Sequence, residues 1–327
     1  MPYPYQRLRR LRATSAIRDL VSDIKVNLSD LILPVFVAEG LPEPKEIPSL
    51  TGQFWHNLES LINEAKEVKN LGINALMIFG IPLEKDEVGV NAFDPNGIVA
   101  QAVRKLKSEF KDDLVVLCDL CLDEYRIDGQ CGVLKDSGEI DNDKTLELYE
   151  KIAVTQALAG ADFVCPSGMM DGQVKAIREA LDEAGFVETG ILSYSVKYAS
   201  ALYGPFRDAV KVDLKGDRKS YQQAFDRSVK EARLEAALDV QEGADIVMVK
   251  PAITNLDVIK EISSSVDVPV FAYQVSGEYQ MIIEAGLKGL VNLNDLINET
   301  LVSIKRAGAS AILTYFAKQY ALRQTNG

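Results

Sequence analysis

Two lysines in this 327-residue chain stand where lysines are seldom found. Lys250 closes the apolar run Asp245-Ile246-Val247-Met248-Val249, and Lys197 comes just after Gly190-Ile191-Leu192-Ser193-Tyr194. Both runs read as short buried strands. An ammonium at such a place is stripped of water, and a second lysine nearby lowers its pKa further. A neutral amine attacks ketones and forms a Schiff base. Two such lysines predict an enzyme that holds two carbonyl substrates covalently.

Other groups could serve the same site. Beyond Lys197 come Tyr203-Gly204-Pro205-Phe206-Arg207-Asp208 and Lys215-Gly216-Asp217-Arg218. This connection is too long for a tight turn, and long barrel loops often act as lids. Arg207 and Arg218 could clamp a substrate carboxylate through paired charge-assisted bonds. Spacing alone fits surface solubility equally well. Further upstream, Cys121, Asp123 and Cys131 could offer two thiolates and a carboxylate to zinc, with water in the fourth place. Three ligands with an open position make a catalytic arrangement rather than a structural one. Buried free cysteines are common, so the spacing also fits simple packing. The single histidine, His56, lies between Trp55 and Asn57 and reads as a surface loop residue. Ser-His-Asp triads and His-rich zinc sites are thereby disfavoured.

Composition narrows the field. Hydrophobic content of 47% and charged content of 26% suit a globular protein. A net charge of −12 argues against nucleic acid, which needs a basic face. Arg7, Arg9, Arg10 and Arg12 make the N-terminus a local exception. Such an arm could touch nucleic acid, but docking on an acidic neighbouring subunit fits the charge contrast better. No stretch approaches a membrane span, and Met1-Pro2-Tyr3-Pro4-Tyr5 lacks a signal-peptide core, so the expected location is the cytoplasm. Three of the four cysteines (Cys118, Cys121, Cys131, Cys165) fall close together, which in a cytoplasmic chain suggests metal or catalysis before disulfides.

These residues need a scaffold. Short apolar runs recur at Leu31–Val37, Asn74–Gly80, Leu114–Leu120, Asp162–Pro166, Gly190–Ser195, Asp245–Lys250, Pro269–Tyr273 and Ala311–Phe316. Runs this short and apolar suit parallel strands buried on both faces. Amphipathic helices are expected at Leu58–Leu71, Thr145–Ala159, Gln173–Ala184, Arg218–Gln241, Leu256–Ser264, Glu278–Ala285 and Asp295–Ala307, several closed by glycine. Helix, glycine and strand repeated around eight strands predicts a (β/α)₈ TIM barrel at 31–327, with residues 1–30 as an N-terminal extension arm. An open doubly wound sheet is the alternative, but no Gly-x-Gly-x-x-Gly turn follows any strand. A barrel places its site at the C-terminal ends of the strands. Those ends carry Asp119, Ser167, Lys197, Lys250, Ser276 and Tyr315. Any one could be a turn residue; two lysines and an acid in one mouth are better explained by function.

Together these segments closely resemble the porphobilinogen synthase (5-aminolaevulinate dehydratase) family, from about Arg7 to Tyr320. The resemblance rests on Ser-Tyr-Ser-x-Lys-Tyr-Ala-Ser at 193–200, Tyr-Gly-Pro-Phe-Arg-Asp-Ala at 203–209 and Met-Val-Lys-Pro-Ala at 248–252. Pro-Ser-x-Met-Met-Asp-Gly at 166–172, Tyr-Gln-Val-Ser-Gly-Glu-Tyr at 273–279 and Phe79-Gly80-Ile81-Pro82 add to it. It implies condensation of two 5-aminolaevulinate molecules to porphobilinogen with loss of two waters, in tetrapyrrole synthesis. By similarity, Lys250 forms the Schiff base with the first substrate and Lys197 with the second. Ser276 and Tyr315 match the residues holding the first carboxylate; Arg207 and Arg218, helped by Gln222, match those holding the second. Asp119 and Ser167 match the groups that position a substrate amine. The resemblance further implies an allosteric magnesium at Glu235, no organic cofactor, and a homo-octamer of dimers with embracing arms.

The chain departs from the zinc-dependent pattern. Asp123 stands where zinc enzymes of the family carry the middle cysteine, while Cys121 and Cys131 remain; Asp128 and Gln130 replace two family histidines. An active-site metal, zinc or magnesium, is therefore an open question at Cys121, Asp123 and Cys131. At 49–55 the sequence Ser-Leu-Thr-Gly-Gln-Phe-Trp replaces the usual Met-Pro-Gly-x-x-Arg. Two rival readings stand beside the family one. A one-lysine aldolase leaves Lys197 and the arginine pair idle, and a barrel that only binds an acidic metabolite leaves both lysines unexplained.

Overall fold

The computed structural model describes residues 6–325. Eight parallel strands form its centre: β1 Leu31–Ala38, β2 Ala75–Ile81, β3 Val115–Leu120, β4 Phe163–Pro166, β5 Gly190–Lys197, β6 Ile246–Lys250, β7 Val270–Gln274 and β8 Ala311–Thr314. Each pairs with the next in chain order, and β8 returns to β1 through Leu31–Ile312 and Ile32–Leu313, closing a barrel. Every residue of β1 and β6 is buried, as expected for strands covered by side chains inside and helices outside. Strand bounds agree with the expected runs to within one or two residues.

The helices of the outer layer are α1 Leu58–Asn70, α2 Ile98–Phe110, α3 Asn142–Ala159, α4 Gln173–Glu183, α5 Val229–Glu242, α6 Leu256–Ser263, α7 Ser276–Leu287, α8 Leu293–Ala307 and α9 Ala317–Thr325. Three of these differ from expectation, and one is α9, which the expected helices do not include. Nothing in the sequence reading anticipates α2, whose N-cap is Gly97 with no side-chain cap to announce it. Helix α5 begins at Val229, where the Ser228 side chain accepts from Lys230 N–H, and not at Arg218. Residues 218–227 instead form an irregular cover over the barrel mouth, and Tyr198 bridges to Gln223 there.

Before β1 lie a 3₁₀ turn at Leu8–Arg12 and a short helix at Ser15–Leu20, neither burying a residue. The first five residues of the expected arm fall outside the described residues. His56 also differs from expectation. It is buried at the end of a short strand, Phe54–His56, that runs parallel to β1 and lies against α1. Burial lowers the pKa of its imidazole, against the pull of Glu64. Among the described residues, no helix is long and apolar enough to cross a membrane.

Candidate active site

The strand ends bring the two lysines side by side. Lys250 pairs in register with Lys197 on the neighbouring strand, and both side chains are buried. Between β5 and β6 the register slips: Val247 pairs with Ser193, but Val249 pairs with Val196. One extra residue on β5 is thus a bulge, a device that re-aims side chains. Strict alternation would send Tyr194 and Lys197 to opposite faces. The bulge lets the Tyr194 ring stand 5.7 Å from Lys197 Nζ and 5.1 Å from Lys250 Nζ.

Lys250 is walled by rings. Tyr273 lies 4.4 Å from its Nζ, Phe206 5.1 Å and Tyr203 5.2 Å. Burial among them, and then the charge of Lys197, lowers the Lys250 amine to about 7, against the opposing pull of Asp119. Near neutral pH a large fraction of it is the free base that attacks a ketone. Lys197 is anchored differently, its Nζ donating to the Ser167 carbonyl at 2.5 Å. Ser167 Oγ in turn donates to Asp119 Oδ2 at 3.1 Å. Burial, then Asp123, raises Asp119 to about 6, while the two lysines pull the other way. A carboxyl near that value beside two amines can exchange protons with a reacting substrate near neutral pH.

A second cluster adjoins the lysines. One ligand atom each from Cys121, Asp123 and Cys131 lies within 4.8 Å of the others, and all three residues are buried. Burial opposes ionisation of Cys131, yet a hydrogen bond from Cys121 and the charge of Arg218 bring it down to about 7. Burial and that same bond push Cys121 well above the usual thiol range. Asp123 is ionised despite burial, because Arg218 beside it holds its carboxyl well below the ordinary range. Two sulfurs and one carboxylate oxygen suit a tetrahedral cation with an open place, so the donor set fits zinc; the carboxylate widens the choice towards harder ions. Tyr149 of α3 braces this loop, donating to the Cys131 carbonyl at 2.7 Å. Gly168 is required there, since a Cβ would fall 1.7 Å from the Tyr149 hydroxyl.

The remaining expected residues fall into three places. Arg207, Arg218 and Gln222 line one cleft of about 300 Å³, roofed by residues 214–225. Arg218 is not idle within it: its Nη2 donates to Asp123 Oδ2 at 2.8 Å and to the Gly129 carbonyl at 2.7 Å. Ser276 and Tyr315 do not line that cleft. Ser276 Oγ accepts from Phe206 N–H at 3.0 Å, and the Tyr315 and Tyr273 hydroxyls are 3.1 Å apart. Glu235 stands apart on α5, in a separate cavity of about 550 Å³ with Asp171 and Glu231. Burial, then Asp239 and Asp171, raises it to about 7.

Some of the machinery has no signal in the sequence reading. Glu124 is buried beside Asp123 and lifted well above the carboxylate range, first by burial and then by Asp123 and Asp119. The altered 49–55 segment props the short helix Gly204–Ala209: Trp55 Nε1 donates to the Ala209 carbonyl at 2.5 Å, and Ser49 Oγ to that of Pro205 at 3.1 Å. That helix carries Phe206, whose ring lies 5.1 Å from Lys250 Nζ, and Arg207, which lines the cleft, so Ser49 and Trp55 support the position of both.

The comparisons with known proteins agree with this geometry. The family model described as delta-aminolevulinic acid dehydratase matches residues 5–323. The protein of that name from Streptomyces coelicolor is 48% identical over 321 residues, covering 98% of this chain and 97% of its own. That of Methanothermus sociabilis is 49% identical over 320 residues, covering 98% of each. Among solved structures, the Toxoplasma gondii ME49 enzyme in complex with its reaction product porphobilinogen superposes with a TM-score of 0.95 at 43% identity, covering 98% of this chain and 92% of that one. With the expected barrel in place and its mouth carrying two paired lysines, the chain belongs to the delta-aminolevulinic acid dehydratase family.

Proposed function

We propose that this chain is a porphobilinogen synthase, a lyase that joins two molecules of 5-aminolaevulinate and releases two waters. The observation that carries it is the register pair Lys197–Lys250, two buried amines at adjacent strand ends. Lys250, in part the free base near pH 7, adds to the ketone of the first substrate and expels one water; Lys197 does the same with the second. These two imine formations account for both waters. Ring closure frees the lysines as amines, one displaced by a substrate amino group and the other lost by elimination. Holding both keto acids on neighbouring strands removes the entropy cost of their meeting.

Each remaining residue has a part. Asp119 and Ser167 receive a substrate amino group and can carry its protons. Ser276 and Tyr315 hold the carboxylate of the first substrate; Arg207, Arg218 and Gln222 hold that of the second. Cys121, Asp123 and Cys131 would hold a zinc or magnesium ion, whose chemistry when bound is to polarise a substrate oxygen or amine. No organic cofactor is needed, because the imines that the lysines form activate the substrate carbons.

Magnesium belongs at Glu235. The half-buried Glu235 carboxylate is crowded by the negative charge of Asp239, Asp171, Glu231 and Glu242, and magnesium tolerates one carboxylate with several waters. A route inward exists, since one turn along α5 Asp239 accepts from Ser193 Oγ of β5 at 2.6 Å. Residues 1–30 act as an arm that embraces a partner, in dimers that assemble to an octamer. Leu8 and Leu20, 71% and 83% exposed, are apolar surface that such a contact would cover. Four unpaired cysteines fit the cytoplasm.

Turnover tests this reading together with its metal. Given 5-aminolaevulinate alone, the protein is expected to release one pyrrole for every two keto acids consumed. Chelated protein should regain activity and its larger oligomer with magnesium, and Glu235→Ala should lose that response. Full activity of chelated protein, or recovery with zinc alone, would remove magnesium from the account; absence of pyrrole under every metal would remove the function.

A further inference from the structure

We infer that a cation in the Cys121–Asp123–Cys131 cluster and the carboxylate of the second substrate bind cooperatively, because Arg218 can serve the substrate only when the cation takes over Asp123. This rests on the functional reading above and on Arg218 as a carboxylate clamp.

Arg218 Nη2 carries two protons, and both are committed, one to Asp123 Oδ2 at 2.8 Å and one to the Gly129 carbonyl at 2.7 Å. A carboxylate is gripped most firmly by two parallel N–H bonds from one edge of the fork. Both usable edges, Nε with Nη2 and Nη1 with Nη2, share the nitrogen that is already spent. The other donors are available: Arg218 Nε and Gln222 Nε2 are buried without a partner, in the cleft that Arg207 also lines. The cleft therefore offers single donors but no intact fork.

Of the two acceptors on Nη2, only Asp123 has another claimant. The Gly129 carbonyl is neutral and fixed in the backbone. The Asp123 carboxylate belongs to the cluster in which a cation would meet both sulfurs as well. Its side chain is only 5% exposed, so Arg218 cannot simply leave it. A buried carboxylate without a counter-charge is strongly disfavoured. A cation in the cluster supplies that counter-charge. One Nη2 proton is then free to turn towards the incoming carboxylate, which also satisfies the orphan Nε. Metal and substrate thus stabilise each other, and linkage makes the effect equal in both directions. The substitution that sets Asp123 in place of a thiolate is what creates this exchange, since a neutral thiol would make no such claim on Arg218.

The experiment uses the Lys250→Met protein, which cannot turn over, with Zn²⁺ as the metal and 5-aminolaevulinate as the ligand. The keto acid is titrated into stripped and zinc-loaded protein, and the imine at Lys197 is fixed with borohydride and counted by peptide mass. Zinc is expected to lower the half-saturating concentration on the order of tenfold or more. Zinc affinity, read by competition with a coloured chelator, should rise by the same factor when the keto acid is present. In Asp123→Asn with Lys250→Met the half-saturation should no longer respond to zinc. Should that variant fail to fold, wild-type protein with porphobilinogen as an equilibrium ligand should show the same gain in zinc affinity. Equal half-saturation with and without zinc, in protein whose cluster the chelator assay shows to be filled, overturns the proposal, as does a cluster that takes no zinc. Absence of any Lys197 adduct, together with no pyrrole from wild type, overturns the functional reading instead.

Discussion

Replacing Lys250 by methionine is expected to cut kcat by roughly 10⁵-fold or more, the scale on which a well-placed intramolecular group outperforms a free one. The loss is chemical, not structural. Methionine keeps the apolar stem among Tyr194, Tyr203, Phe206 and Tyr273 and removes only the amine. Thermal unfolding should therefore stay close to wild type or improve, because burying an ammonium is unfavourable. The same amine sets a pH limb. Burial and Lys197 bring it to about 7, so it gains a proton as pH falls through that value and stops attacking ketones. Activity should rise with pH across this window. A Lys250→Met enzyme with normal turnover, or a rate flat between pH 6 and 8 (roughly one unit either side of that value), would contradict the assignment.

Arg218→Met should be the most costly substitution for the fold of the mouth. In metal-free protein it removes the nearest counter-charge of the buried Asp123 and leaves only the more distant Lys197, a loss of about 3–5 kcal/mol when one partner of a buried pair is removed. Substrate binding suffers as well. One charge-assisted hydrogen bond is worth about 1.5–3 kcal/mol, so KM should rise roughly ten- to hundredfold. The two effects separate in the double variant with Asp123→Asn. Removing the stranded charge should restore most of the stability and none of the binding. Arg207→Lys tests the other half of the clamp and should raise KM with stability unchanged, because a point charge does not reproduce the fork. An Arg218→Met protein as stable as wild type with an unaltered KM would show that neither role is real. Urea unfolding and steady-state kinetics on the same preparations decide it.

The barrel is written in the chain plainly. Strands buried on both faces must be apolar throughout, and runs such as Ile246–Val249 cannot be anything exposed. Lys250 and Lys197 stand out for the same reason. What the sequence hides is whatever depends on one strand's offset against another. Tyr194 belongs to the site only because β5 carries a bulge, and no residue in Ser193–Lys197 marks it. Arg218 is a comparable case. Its position on a lid predicts an arginine free for substrate, but only the fold brings Asp123, ninety-five positions earlier, within 2.8 Å of it. Helix α2 has the right periodicity in Ile98, Val99, Ala102, Val103 and Leu106, yet its start bears no capping side chain. His56, between two residues that suggest a loop, is buried because Phe54–His56 adds to the edge of β1.

Both strand-end amines, Lys197 and Lys250, are proposed to hold substrate. Borohydride reduction in the presence of 5-aminolaevulinate, followed by peptide mass analysis, tests it most directly. Reduced adducts are expected on Lys250 and on Lys197, with Lys250 labelled at the lower concentration, and on no other lysine. Label on a single one of the two at saturation would return the chain to a one-lysine aldolase, and label on neither would leave the barrel without its chemistry.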